Sequence, residues 1–183
     1  MKNVRADHYI ISSMVKNNSR ILDIGCADGQ LLHLLEKEKN VSGQGIEIKH
    51  DKVEKCLKRG LSVIEGDANK EIINYPKESF DYVILSQTLQ TVERPKWLVN
   101  EILRIGKSAI ISFPNFAFKP MREMFYNEGK APKISGWYGY NWYDTPNVRF
   151  PSINDFLEFC EEKNINIKNS LFLDTLNNKK ITD

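Results

Sequence analysis

The chain has 183 residues, of which 41% are hydrophobic and 27% are charged, and these proportions are typical of an ordinary soluble globular protein. Its 26 basic and 24 acidic residues leave a net charge of +2, so charge indicates neither a nucleic-acid partner nor an anionic-membrane partner. No stretch approaches the ~18 consecutive apolar residues of a membrane-spanning helix, so none is expected.

The first predicted element is an amphipathic helix over residues 4–15, within a helical N-terminal segment of residues 1–18. Short apolar runs then alternate with helical patterns along the chain. Strands are predicted over residues 20–24, 41–48, 61–65, 80–86 and 108–113. Helices are predicted to begin at Gln30, Lys49 and Pro95.

The alternation breaks after Pro114. A helix is predicted over residues 116–126, and an aromatic-rich loop follows over residues 127–151. Ser152, with Asp155 three residues later, is a typical start of a further helix. The loop holds five aromatic residues in seven positions, which could cover a cofactor as a lid, anchor a protein interface, or pack beneath the loop. The sequence leaves these three alternatives open.

The last predicted strand, the sixth, covers residues 165–173, and residues 177–183 are interpreted as a polar tail. Alternating strands and helices predict a parallel sheet with right-handed crossovers. We therefore expect a single α/β domain over residues 1–183, with a doubly wound, mostly parallel, Rossmann-like sheet of six or seven strands. In such sheets a ligand binds at the carboxyl ends of the strands.

The glycine-containing turn after the first strand is the most informative segment. From Asp23 through Gly25 and Ala27 to Gly29 the spacing is acid-x-Gly-x-Ala-x-Gly, unlike the Gly-x-Gly-x-x-Gly of dinucleotide-binding loops. The carboxylates of Asp23 and Asp28 would repel a pyrophosphate. S-adenosylmethionine (SAM) carries an ammonium and a sulfonium and no phosphate. The turn therefore favours a SAM site over a nicotinamide site, and a plain strand–helix turn is the alternative.

Further acids follow the next two predicted strands. Glu47, which precedes Ile48, can accept hydrogen bonds from both ribose hydroxyls of a nucleoside. Asp67 can accept from the adenine amino group, and the Ala68 backbone can serve a ring nitrogen. Asp23 can hold the amino-acid ammonium. Because these strands end at the same edge of the sheet, their acids predict one cofactor site.

The segment after the fourth predicted strand, which begins with Ser86 and Gln87, offers neutral hydrogen-bonding groups near the expected methyl-donor end. A helix-capping loop is the alternative. We interpret Cys26, at the start of a helix, as a packing or backbone-contact residue rather than a thiolate. No Ser/His/Asp or Cys/His set is evident, which is compatible with a methyltransferase and with a binding protein.

The three cysteines and three histidines are scattered, with no spacing typical of a metal site or a disulfide framework. We predict no metal. The N-terminal residues lack the features of a signal peptide. The expected location is the reducing cytoplasm.

The glycine turn and the segments around Glu47 and Asp67 resemble the class I SAM-dependent methyltransferases over about residues 20–113. Four further blocks are similar to the methionine biosynthesis protein MetW family. They are Arg5-Ala6-Asp7, Leu85-Ser86-Gln87-Thr88-Leu89-Gln90, Ile111-Ser112-Phe113-Pro114-Asn115-Phe116 and Trp142-Tyr143-Asp144-Thr145-Pro146-Asn147. General methyltransferases do not share these blocks, so the second resemblance is the more specific.

The MetW resemblance implies a protein of bacterial methionine synthesis that binds SAM or S-adenosylhomocysteine (SAH) and supports homoserine O-acyltransferase. By position, it implies that the cofactor residues are Asp23, Gly25, Gly29, Glu47 and Asp67. The chain departs from the family pattern in Ala27, which replaces the middle glycine of the turn, and in Arg149, where the family more often has histidine. A seventh strand, expected to pair antiparallel with the sixth, has no clear sequence.

Two rival functions stay open at this point. The chain could be a methyltransferase that acts on an unidentified small molecule, or a structural partner that has lost cofactor binding. No catalytic residue and no methyl acceptor follow from the sequence.

Overall fold

The computed structural model describes residues 5–133, 139–174 and 179–181. The chain divides into two units. The first unit holds residues 5–88 and 94–112, and the second holds residues 89–93 with the described residues from 113 onward. The single domain expected from the sequence stays a prediction.

The first unit is built on a parallel sheet of five strands, in the order β3-β2-β1-β4-β5. The strands are β1 (Arg20–Ile24), β2 (Ser42–Glu47), β3 (Val63–Glu65), β4 (Phe80–Ser86) and β5 (Gly106–Ser112). In β1, Ile21, Leu22 and Ile24 are almost completely buried, as expected of a strand covered on both faces. The predicted doubly wound, parallel α/β class is confirmed, but this sheet has five strands rather than six or seven.

Helices precede and connect these strands. They are α1 (Ala6–Met14), α2 (Gln30–Lys39), α3 (His50–Lys58), α4 (Ala68–Glu71) and α5 (Pro95–Ile105). The chain moves outward in one direction from β1 to β3 and in the other direction from β4 to β5. Right-handed crossovers therefore place α2 and α3 on one face of the sheet and α5 on the other. The strand order reverses between β1 and β4, which marks the expected ligand edge.

Several boundaries differ from the predicted ones by one or two residues. Leu61 was expected to begin the third strand, but its amide donates to the Cys56 carbonyl at 3.1 Å and so completes the end of α3. Gly106 ends α5 and also begins β5, two residues before the predicted start. Such shifts arise because hydrogen bonds, rather than apolar patterning, fix where an element ends.

The second unit contains α6 (Lys119–Glu128) and α7 (Ile153–Glu162). The α6 helix begins three residues later than predicted, with Pro120 in its first turn, where proline is favoured. The start of α7 is a full capping box: Ser152 accepts from the Asp155 amide at 3.1 Å, and the Asp155 carboxylate accepts from the Ser152 amide at 2.8 Å. The prediction at Ser152 is confirmed.

The start of the sixth strand was predicted wrongly. Residues 165–171 contain no strand, and β6 covers only Phe172–Asp174. It pairs antiparallel with β7 (Lys179–Ile181) in a separate two-stranded sheet. The Ile165 amide instead donates to the Cys160 carbonyl at the end of α7. The segment interpreted as a polar tail thus supplies a strand, because the residues of β7 have no apolar alternation from which it could be read.

None of the helices in the described ranges combines the length and the apolar character needed to span a bilayer. Within the same ranges, no three His, Cys, Asp or Glu residues are grouped as metal ligands.

Candidate functional site

The turn between β1 and α2 approaches neighbouring backbone and side chains closely. Gly25 and Gly29 have φ angles of 72° and 74°, in the left-handed region that favours glycine. A Cβ atom at Gly25 would lie 2.7 Å from Thr88 Oγ1, so any side chain there would displace Thr88. The amides of Gly25 and Cys26 both donate to the Ile46 carbonyl, at 2.8 and 3.2 Å. The turn is therefore fixed to the end of β2.

Ala27 also adopts a left-handed conformation, with a φ of 50°. A side chain at such an angle brings Cβ close to the following carbonyl, which costs on the order of 1–2 kcal/mol. The Ala27 amide donates to Glu47 Oε2 at 2.9 Å, and this bond helps to hold the strained residue in place. The position thus has the geometry of a glycine, as the family pattern implies.

Glu47, the last residue of β2, is buried and joins two backbone segments. Its Oε2 accepts from the Ala27 amide, and its Oε1 accepts from the Lys49 amide at 2.8 Å. A carboxylate has about four acceptor positions, so these two bonds leave acceptor capacity for a pair of hydroxyl groups. Ile48 follows directly and is 65% exposed, which offers an apolar surface beside the carboxylate.

Asp23 lies in the middle of the sheet edge and is only 2% exposed. Burial raises the pKa of its carboxyl group, the Arg5 guanidinium lowers it and the negative charge of Glu47 raises it, and the resulting pKa is about 7. No hydrogen bond to this carboxylate is found among the described residues. A buried carboxylate of this kind is stabilised when a cation binds beside it.

Asp67 follows β3 and caps α4. Its Oδ1 accepts from the amide and the side-chain amide of Asn69, both at 2.9 Å, and the Oδ1 of Asn69 is buried without a hydrogen-bond partner. Ala68 is the first residue of α4. The Gly66 amide donates to the Glu47 carbonyl at 3.0 Å, so the ends of β2 and β3 are adjacent. No hydrogen bond or ion pair joins Asp67 to Asp23 or Glu47 in the described ranges.

Ser86 and Gln87 lie at the end of β4. Gln87 has a φ of 53°, and its amide donates to the carbonyl and the hydroxyl oxygens of Ser112 at 2.9 and 3.2 Å. The Thr88 hydroxyl donates to the Ser86 carbonyl at 3.0 Å. These bonds give the segment a defined backbone conformation, and the Ser86 hydroxyl faces the guanidinium of Arg5 at 3.5 Å.

Two neighbouring residues of the turn have local structural roles. Burial raises the pKa of the Cys26 thiol, and its Sγ packs against Gly45, where a Cβ atom would lie 2.5 Å away. Asp28 accepts hydrogen bonds from Gln30 at 2.9 Å and from Arg59 at 3.2 Å. Burial acts to raise the pKa of Asp28, but Gln30, Arg59 and Lys52 together lower it overall.

The N-terminal residues supply groups that sequence reasoning did not assign to the site. Two guanidinium nitrogens of Arg5 bond to the two carboxylate oxygens of Asp7. The positive charge of Arg5 also lowers the pKa of Asp23. His8 is buried, and its Nδ1 has no hydrogen-bond partner. The only signal in the sequence was the Arg5-Ala6-Asp7 block, which indicates a family but no role.

The site thus brings together Asp23, Glu47 and the glycine turn by direct bonds or close electrostatic interaction, and Asp67 through adjacent backbone. This arrangement fits a cationic adenosyl compound without phosphate. The buried Asp23 suits an ammonium, the remaining acceptor positions of Glu47 suit ribose hydroxyls, and the exposed Ile48 suits the face of a base. The unpartnered His8 Nδ1 lies on α1, and the unpartnered Asn69 Oδ1 lies on α4.

The chain is similar to known proteins along nearly its whole length. The model of the family described as methionine biosynthesis protein MetW matches residues 5–182. A bifunctional methionine biosynthesis protein MetXA/MetW of Rhodopirellula baltica is 35% identical over an alignment of 186 positions, and this alignment covers 97% of the present chain. The chain spans only 30% of the length of that relative.

Solved structures show the same fold. A SAM-dependent methyltransferase of Thermotoga maritima, described as a possible histamine N-methyltransferase, has a TM-score of 0.62 at 22% identity over 86% of this chain and 68% of its own. A SAM-dependent methyltransferase of Aquifex aeolicus has a TM-score of 0.62 at 19% identity, over 91% and 83% of the two chains. The [4+2]-cyclase SpnF has the same score at 20% identity, over 86% and 55%.

Proposed function

The chain belongs to the methionine biosynthesis protein MetW family and has the fold of the SAM-dependent methyltransferases, and from this premise we propose that it binds SAM or SAH. The proposed site is the carboxyl edge of the sheet in the first unit. One observation carries the proposal: Asp23 is a buried carboxyl group with a pKa of about 7, in electrostatic contact with Glu47. A phosphate would be repelled there, whereas an ammonium or sulfonium would be attracted.

In the proposed complex, Glu47 accepts from the ribose hydroxyls, and Ile48 packs on the base. Asp67 and the Ala68 backbone recognise the adenine edge, and the backbone at Gly25 and Gly29 allows close approach. Cys26 and Ala27 contribute the intervening backbone. These assignments follow the order of the strands and the acceptor capacity described above.

When SAM is bound, it supplies a methyl group on a positively charged, already activated sulfur. The residues at the methyl-donor end, Ser86 and Gln87, are neutral, so they can orient a ligand by hydrogen bonds but cannot act as strong bases. Asp23 orients the amino-acid portion through its ammonium. Orientation of this kind is what an in-line displacement requires of a protein.

The direct test of ligand binding is calorimetry with SAH at pH 8. We expect binding of one SAH to the wild-type chain and a loss of affinity of at least about tenfold in Glu47→Gln and in Asp23→Asn. Asp81→Asn is the matched control, because Asp81 lies at the amino end of β4 and pairs with Lys107. Unchanged binding in both site variants would contradict the proposed site.

We further propose that the chain acts with homoserine O-acyltransferase, as the family resemblance implies. The support is that a relative combines MetXA and MetW in a single chain, of which the present sequence spans about a third. Exposed aromatic side chains of the second unit are candidate contacts. Trp142 and Tyr143 are 79% and 70% exposed, and their rings meet edge to face at 5.5 Å.

This second proposal is tested by mixing the chain with a homoserine O-acyltransferase of the same organism. We expect the two proteins to elute together and acyl transfer to change when SAM is titrated, because a ligand that binds one conformation better shifts the complex toward it. Absence of a complex and an unchanged rate of acyl transfer would contradict it.

The reducing cytoplasm is the location we propose, and the three buried, free cysteines are consistent with it.

The alternative function is methyl transfer to a small molecule. It is favoured by the fold and by the neutral groups at the end of β4, but the same fold occurs in the [4+2]-cyclase SpnF, so the fold alone does not decide the reaction. Labelled SAM incubated with the chain and a metabolite pool would give a labelled product in this case. Tight SAH binding without such a product would favour a regulatory role.

A further inference from the structure

The cation nearest to the centre of the candidate site comes from the start of the chain. Arg5 precedes α1, and its guanidinium bonds to the Asp7 carboxylate, with Nε 3.0 Å from Asp7 Oδ1. Its Nη2 also lies 3.5 Å from the Ser86 hydroxyl at the end of β4. Arg5 is therefore held above the edge at which the strand order reverses, although it is remote in sequence from every strand end.

The acids at this edge, Asp23, Glu47 and Asp67, cannot bind an anion, and Arg59 is paired with Asp28. Arg5 is the one cation among the described residues that acts on the Asp23 carboxyl group. A zwitterion placed beside Asp23 would thus find a carboxylate for its ammonium and a guanidinium for its carboxylate.

We propose that Arg5 binds the carboxylate of the amino-acid portion of the ligand while Asp23 holds the ammonium. The proposal rests on the proposed function, and it adds a rule of specificity. The site then selects adenosyl compounds that carry a complete amino acid, such as SAM and SAH, over those that lack it, such as 5′-methylthioadenosine. A guanidinium suits this role because it bonds a carboxylate through two parallel N–H groups.

The surroundings of Arg5 support a positioning role for its neighbours. The Arg5 side chain is 41% exposed, so a ligand can reach it. The Asp7 side chain is only 14% exposed, and its bonds to the guanidinium restrict the position of Arg5. His8, whose buried Nδ1 lacks a partner, lies on the same turn of α1 and acts electrostatically with Arg5 and Asp7. A carboxylate beside Arg5 would place a negative charge near this turn.

The test compares two ligands by calorimetry at pH 8: SAH, which has the amino acid, and 5′-methylthioadenosine, which does not. In Arg5→Gln we expect SAH affinity to fall about ten- to hundredfold and 5′-methylthioadenosine affinity to stay within about twofold. Arg5→Lys keeps the charge but loses the paired geometry, so its SAH affinity should be intermediate. Asp7→Asn should weaken SAH binding less than Arg5→Gln, because it removes only the ion pair that positions Arg5.

Arg20→Gln is the control, since Arg20 begins the same strand as Asp23 at its opposite end. It removes the same charge and should leave both affinities unchanged.

An equal loss of affinity for both ligands in Arg5→Gln would overturn the proposal, as would an SAH affinity equal to that of the wild type. In the latter case wild-type SAH binding would keep the proposed function intact. If the wild type binds neither ligand, the proposed function itself fails, and the role of Arg5 with it.

Discussion

Ala27 is one of the non-glycine residues with a left-handed backbone conformation in the described part of the chain. Its φ of 50° costs about 1–2 kcal/mol for an alanine, whereas a glycine at this position would lose about 0.4–1 kcal/mol through the greater freedom of the unfolded chain. We therefore expect Ala27→Gly to raise the free energy of unfolding by about 0.5 kcal/mol. Urea unfolding followed by circular dichroism measures this difference.

The control for Ala27 is Ala109→Gly in β5. Ala109 pairs with Val83 in the sheet, so the substitution incurs the entropic cost without relieving a strained angle. It should lower the free energy of unfolding. Equal destabilisation by Ala27→Gly and Ala109→Gly would show that Ala27 is not strained in the protein.

Asp23 makes stability depend on pH. Its pKa in the folded chain is about 7, above its ordinary value of 3.8, so between these values the folded state binds a proton that the unfolded state releases. Stability is then lost as pH rises through this window, and the loss is complete above pH ~7. We expect Asp23→Asn to be more stable than the wild type at pH 8, by at most about 4 kcal/mol, and the difference to shrink towards pH 4.

Urea unfolding at pH 5 and pH 8 checks this prediction. Asp81→Asn gives the opposite comparison: its hydrogen bond from Lys107 lowers the pKa of Asp81, so this group supports folding at high pH and loses that contribution as pH falls. An Asp23→Asn variant that is less stable than the wild type at pH 8 would show that the buried carboxylate has a stabilising partner.

At the scale of elements, Glu47 connects the end of β2 to the turn between β1 and α2. Glutamine at this position has one acceptor oxygen and would leave the Ala27 or the Lys49 amide without its bond. We expect Glu47→Gln to lower the free energy of unfolding by about 1–3 kcal/mol and to weaken SAH binding. Parallel urea and calorimetric measurements check both effects.

Gln44→Glu, on the same strand but nearer its start, serves as the control, because it tests a change between the same two residue types away from the turn. A Glu47→Gln variant with unchanged stability would contradict the role of Glu47 as a link between the end of β2 and the turn between β1 and α2.

The elements near the site were the most predictable from the sequence. The strand of residues 80–86 was predicted with the bounds that β4 has, because its apolar run ends at polar residues on both sides. The candidate site at the turn was also recognisable, since Asp23, the glycines and Glu47 follow local patterns. The relation between them was not, because the bond from the Ala27 amide to Glu47 depends on the pairing of β1 with β2.

Long-range contacts explain what the sequence missed. Arg5 reaches Ser86 across 81 positions, and only the folded sheet brings them together. The antiparallel pairing of a sixth and a seventh strand was expected, but the position of β7 escaped prediction, because three-residue strands have too little pattern and Lys179 and Lys180 gave no apolar signal. Part of the aromatic segment, residues 134–138, lies outside the described residues. The prediction that the aromatic-rich loop forms a lid over a cofactor stays untested. The exposure of Trp142 and Tyr143 argues against the alternative that these side chains pack beneath the loop.

At the scale of the whole molecule, the sheet places three acids at adjacent strand ends, and the chain belongs to the family described as methionine biosynthesis protein MetW. The fold by itself is shared by methyltransferases and by a cyclase, so the chemistry of the site must decide the function. The central claim is therefore electrostatic: a buried carboxylate, Asp23, receives the cationic part of an adenosyl compound.

The most direct measurement of that claim is the number of protons released when SAH binds at pH 7, from calorimetry in two buffers with different heats of ionisation. Because the pKa of Asp23 is about 7, its carboxyl group is about half protonated in the unliganded chain, and an ammonium bound beside it lowers the pKa. We predict the release of about half a proton per ligand by the wild type and none by Asp23→Asn. Equal proton release by the two proteins, or no binding of SAH by the wild type, would contradict the account.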